Sequence, residues 1–132
     1  MLNHQAELLR ELIFEQVRQE IFTEKPSRLR CIWLIPHDEP LLAAWRATIN
    51  GSFHAFEVEA DGQFHIGASC YLKPVCFSGD QLRDHARRYW SEPVDVQAQQ
   101  AEILCVGEIK ILREIKISGA SEGTWAKIKR LF

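Results

Sequence analysis

Residues 101–112 read AEILCVGEIKIL, and few local structures can host such a run. Ile103, Leu104, Cys105 and Val106 follow one another without a polar break, which suits a buried strand. Glu102 sets one carboxylate at the mouth of that strand. Val106-Gly107-Glu108 then reads as a turn into a second apolar run, so strands are expected over about 101–106 and 108–117. A charge in the position of Glu102 is tolerable at a solvated strand end. It is also where several enzyme folds keep a catalytic acid.

The preceding chain supplies the layers such strands need. Leu9, Leu12, Ile13, Val17 and Ile21 recur at helical spacing and predict a helix over 4–22, with Glu11, Glu15, Arg18, Gln19 and Glu20 on its outer side. Lys25-Pro26 ends it, because the residue before proline is pushed out of the helical region. Residues 28–35, RLRCIWLI, then alternate as a strand. Leu29, Cys31, Trp33 and Ile35 form its core face, and Arg28 and Arg30 lie on a wet or site-lining face. Asp38 can cap a helix over 39–49, with Pro40 in its first turn and Leu41, Leu42, Trp45 and Ile49 as its buried stripe.

Asn50-Gly51 and Asp61-Gly62 read as turns flanking SFHAFEVEA and QFHIGASCYL, a hairpin that would bring His54 opposite His65. Residues 80–90 predict another helix, with Leu82, Ala86 and Tyr89 or Trp90 inside. The polar stretch 91–100 is a loop, and the tail reads as a closing turn of helix docked by Trp125 and Ile128 or Leu131. Strands that follow one another through short turns favour an α+β fold, with a mixed, mostly antiparallel sheet that can be split in two. One domain over residues 1–132 is expected: the helix at about 4–22, a sheet-bearing core at about 28–117 and a closing segment at 118–132.

Composition narrows the function classes. The net charge is −2, which gives no reason to expect nucleic acid as a partner. No apolar run approaches the roughly 20 residues that span a bilayer, and no signal peptide is visible, so a cytoplasmic protein is expected. Cys31, Cys70, Cys76 and Cys105 include no CxxC pair, and buried reduced thiols are the plain reading. His65 is the near neighbour of Cys70 and Cys76, too little for a zinc site, and no metal is expected. P-loop, GxGxxG, HExxH and GxSxG motifs are all absent.

Taken in order, PSRLRCIWLI, a helix carrying AAW, FHAFEVEA, a helix ending RRYW, and AEILCVGEIKIL resemble the ADP-ribosyltransferase-like superfamily, and more closely a small bacterial branch of it. The resemblance covers residues 11–117. It implies a split-sheet fold and an NAD-binding protein that cleaves the nicotinamide–ribose bond, as an ADP-ribosyltransferase or an NAD glycohydrolase. Glu102 matches the catalytic glutamate by its place before Ile-Leu. Ser27 and Arg28 match the Pro-Ser-Arg lead-in that holds the dinucleotide, and Tyr89 and Trp90 are the aromatic candidates for covering a ring. Breaking that bond builds positive charge on the ribose, which a carboxylate in a water-poor cleft stabilises. Members normally open on a strand bearing Arg or His, whereas this chain opens on a helix. A protein partner or a second copy supplying that strand is one expectation. A catalytically inactive remnant that serves as a binding or regulatory module is the alternative.

Overall fold

A computed structural model describes residues 2–49, 54–73, 78–95 and 100–116. Three helices, α1 (Leu2–Ile21), α2 (Glu39–Thr48) and α3 (Gly79–Ser91), accompany three strands, β1 (Ile32–Leu34), β2 (Ala55–Ala68) and β3 (Ala101–Ile115). The strands form one antiparallel sheet in the order β1-β3-β2. The fold is therefore α+β, with a single sheet among the described residues.

Asp38 and Ser78 cap α2 and α3: each side chain accepts a backbone N–H three residues on, Leu41 N and Gln81 N at 3.1 Å. Two of the three turns expected at glycines are absent. Asp61-Gly62 and Val106-Gly107-Glu108 both lie inside continuous strands, and Gly62 pairs with Gly107 across the sheet. Neither position has room for a side chain. A Cβ on Gly62 would lie 2.2 Å from the Val106 carbonyl oxygen, and one on Gly107 would lie 2.0 Å from that of Asp61. The glycines mark a close approach of two backbones. As a result, the four strands expected on either side of these glycines merge into two long ones.

The strand expected over 28–35 is shorter. Ser27 accepts a hydrogen bond from Leu29 N at 3.1 Å and starts a 3₁₀ turn at Arg28–Arg30, so extended pairing begins only at Ile32. Arg28 is thereby turned inward and is buried, not on an exposed edge. The face of α1 is also rotated from the expected one. Phe14 and Val17 are buried and Ile13 packs beside them, whereas Leu9, Leu12 and Ile21 are more than half exposed. Glu11 and Glu15, expected outside, make ion pairs with Arg28 and Arg18. On α2, Leu41 and Leu42 are buried and Trp45 is exposed.

The sheet separates two cores. On one face, Phe14 and Val17 of α1 meet Leu82, Ala86, Tyr89 and Trp90 of α3 over Leu104. Trp90 Nε1 donates to the Phe14 carbonyl at 2.9 Å, so the buried indole is satisfied while joining the two helices. On the other face, Leu34, Leu42, Ala55 and Cys105 pack with Ile103, Val58 and Ile109.

His54 and His65 do not face each other. His54 lies 2.6 Å from Glu114, and the His65 ring nitrogen lies 2.9 Å from the Tyr89 carbonyl. Cys31, Cys70 and Cys105 are free, and of these Cys70 is exposed. No described helix is long and apolar enough to cross a membrane. Cys76, the Asn50-Gly51 turn and the closing segment with Trp125, Ile128 and Leu131 lie outside the described residues.

Candidate functional site

Three of the five residues singled out for chemistry meet in space, carried by three separate elements. Arg28 comes from the 3₁₀ turn, Tyr89 from the last turn of α3, and Glu102 from the mouth of β3. Arg28 Nη1 donates to the Tyr89 hydroxyl at 2.9 Å and is ion-paired with Glu102. The Tyr89 hydroxyl in turn donates to the same Glu102 carboxylate. Gly67 makes this arrangement possible. It pairs with Glu102 across the sheet, and a Cβ there would sit 2.2 Å from the Tyr89 ring.

The fourth residue, Ser27, stands to one side. Its hydroxyl donates to Glu15 at 2.5 Å and accepts from Leu29 N, so it fixes the turn that aims Arg28. Tyr89 offers no ring face to a ligand, because Phe14, His65 and Trp90 enclose it. Trp90 is likewise in the core. What Tyr89 contributes is its hydroxyl. Burial pushes the pKa of that hydroxyl well up, against the opposing pull of Arg28, so it stays protonated and able to donate.

Two participants escaped the sequence reading. Glu11 closes the free edge of Arg28: its carboxylate accepts from Nε and Nη2, both at 2.9 Å. Arg10 donates to the same carboxylate at 2.8 Å and to the Leu72 carbonyl at 2.8 Å. A stripe drawn through Arg10, Phe14 and Val17, rather than through the leucines, would have placed both at the margin of the buried face. Trp33 adds to the enclosure, with the Arg28 Cζ 5.6 Å from its ring centroid and 5.3 Å from that of Tyr89.

The cluster is electrostatically self-consistent. Burial raises the Glu11 pKa, but hydrogen bonds and charge from Arg28, then Arg10, outweigh this and hold its carboxyl below the usual range. Burial likewise lowers the Arg28 pKa, and the Glu11 and Tyr89 contacts more than reverse it. The Arg28 side chain is 7% exposed, against 21% for Glu11 and 19% for Glu102. Beneath the cluster, burial drives the His65 pKa down to about 4, so the ring is neutral and its Nε2 donates to the Tyr89 carbonyl.

Two cavities have other walls. One of about 400 Å³ lies on the opposite face of the sheet, between Leu34, Leu42, Phe64, Ile66 and Ile103. A second, of about 340 Å³, is lined by Lys25, His65, Trp90 and Val94. Among the described residues, no three His, Cys, Asp or Glu side chains are grouped to hold a metal ion. Burial raises the pKa of the Cys105 thiol, which suits packing and not attack.

Fold and site together define an α+β domain in which the helical face of a small antiparallel sheet encloses an arginine held by two carboxylates and a tyrosine. The chain belongs to a family described as protein of unknown function (DUF2441), whose model matches residues 1–117. No curated protein matches it.

Proposed function

We propose that the protein is an ADP-ribosyltransferase-like, NAD-binding protein in which Glu102 is the catalytic carboxylate. The convergence of Glu102, Arg28 and Tyr89 supports this reading, since the chain must bring together residues up to 74 positions apart to build it. In the proposed reaction the nicotinamide leaves as positive charge develops on the ribose. Glu102 stabilises that charge, and the Tyr89 hydroxyl fixes the orientation of its carboxylate. A partly buried site strengthens the effect, because water screens it less. Arg28 is the contact for a dinucleotide phosphate, and the 3₁₀ turn capped by Ser27 holds it in place.

The test is calorimetric titration with NAD into the millimolar range, followed by an assay for released nicotinamide. Binding is expected, with nicotinamide release lost in Glu102→Gln while binding survives. No heat at millimolar NAD would overturn the enzyme reading.

One observation favours the second reading, a catalytically inactive scaffold that acts as a binding or regulatory module. Glu11 occupies the Nε/Nη2 edge of Arg28, and neither cavity described above is lined by Arg28 or Glu102. That arrangement suits an ion-pair network that organises the fold. Wild-type protein that is fully folded and silent towards NAD would support it.

A further inference from the structure

Two guanidinium groups meet on a single carboxylate oxygen beside Glu102. Glu11 Oε1 accepts from Arg28 Nη2 at 2.9 Å and from Arg10 Nη2 at 2.8 Å, and Arg28 Nε reaches Oε2 at 2.9 Å. Both arginines are anchored from behind. Arg10 Nη1 is tied to the Leu72 carbonyl, and Arg28 Nη1 to Tyr89 and Glu102. Their donors therefore converge on one place whether or not Glu11 fills it.

The occupant does not use all the donors. Arg10 Nε is buried and has no hydrogen-bond partner. A buried donor left unserved is uncommon and calls for an explanation. A carboxylate has two oxygens to offer, and here they serve Arg10 through Nη2 alone. A tetrahedral anion has more. Glu11 is also the component best able to leave: its side chain is 21% exposed, against 7% for Arg28. With Glu11 turned out, two guanidinium charges face the single charge of Glu102, which leaves the place net positive.

We propose that Arg10 and Arg28 form a binding site for a phosphoryl anion, with Glu11 as its built-in occupant. The ligand displaces the carboxylate and takes up its hydrogen bonds together with the spare Arg10 donor. Arginine forks suit phosphate geometry, and the displaced carboxylate is re-solvated. Glu11 thereby sets a threshold: weak anions leave the site shut. The inference rests on the NAD reading only for the carrier of the phosphate, which would be the dinucleotide.

The experiment titrates the full chain with inorganic pyrophosphate and, separately, with NAD, by calorimetry. It uses wild type, Glu11→Gln and the double variant Arg10→Gln/Glu11→Gln. Glu11→Gln should bind pyrophosphate about tenfold more tightly than wild type, and the double variant should lose that gain. Thermal melts check that each variant is folded. Glu102 still neutralises Arg28 when Glu11 is lost; if Glu11→Gln nevertheless unfolds, Glu11→Asp, too short to serve both arginines, should show a smaller gain in the same direction. Unchanged or weaker pyrophosphate binding by a folded Glu11 variant would make Glu11 a structural counter-ion and overturn the proposal. If pyrophosphate behaves as expected and NAD gives no heat, the anion site stands and the NAD reading falls. NAD binding that is equal in wild type and Glu11→Gln has the opposite meaning.

Discussion

On the helical face of the sheet, Leu104, Tyr89, Trp90, Phe14 and Val17 are almost wholly enclosed, and they surround a charged cluster in which Arg28 serves two carboxylates and a hydroxyl. On the opposite face, Leu34, Leu42, Ala55 and Cys105 make a smaller core beside a cavity of about 400 Å³, and Phe64 and Ile111 remain exposed. The helical face thus adds directional bonds among buried polar groups to its apolar core, whereas the core described on the other face is apolar. Removing part of a hydrogen-bonded network strands its remaining members, whereas apolar packing loses roughly the area removed. Sensitivity to substitution should therefore differ sharply between the faces.

The largest effect is expected for Arg28→Met. Without the guanidinium, Glu11 and Glu102 both lose their Arg28 ion pair, and breaking a buried pair in this way costs about 3–5 kcal/mol. Urea denaturation would measure it. A loss below about 1 kcal/mol would mean that the two faces are held alike.

Acid should act next, and again through the helical face. The His65 pKa is lowered from 6.5 to about 4 in the fold, so between those values the unfolded chain holds more protons. Stability is therefore fully present above about pH 6.5 and falls as the pH drops towards 4, by on the order of 3 kcal/mol. The lowered Glu11 pKa extends the same trend further into acid. Stability curves of His65→Gln should be flatter over this window, and identical slopes would remove His65 from the account.

Tyr89→Phe isolates one hydroxyl. Arg28 Nη1 loses an acceptor and Glu102 a donor, for an expected loss of about 1–3 kcal/mol in chemical denaturation. The smallest effect belongs to the other face: Ile111→Thr, at a position 59% exposed, should stay within about 0.5 kcal/mol of wild type. A larger change there would show that this face is better packed than its cavity implies.

The sequence disclosed some of this through local rules. All three helices were legible, because apolar spacing and the Asp38 cap act within a few residues. Glu102 stood out by its place at a strand mouth, Arg28 and Tyr89 through the resemblance to ADP-ribosyltransferase-like proteins, and the three meet in the structure. What stayed hidden depends on partners distant in the chain. Glu11 looks like an ordinary outward carboxylate until Arg28 is turned towards it. Leu9 and Leu12 look like core residues until α3 packs against Phe14 and Val17 instead. Gly62 and Gly107 carry the usual turn signal. Their role as a matched pair exists only once β2 lies against β3.

That matched pair also works as a key for assembly. Two long strands could be zipped together in several offsets, and an offset of one residue would exchange the helical and open faces, putting Ile103 and Cys105 where Leu104 belongs. With Gly62 opposite Gly107, the backbones can close at their narrowest point. In a shifted alignment, Asp61 or Gln63 would present a side chain to Gly107 there, and the strands could not close. Two residues without side chains thus specify which offset of a 14-residue pairing is read as correct, and with it the face on which the arginine cluster is built.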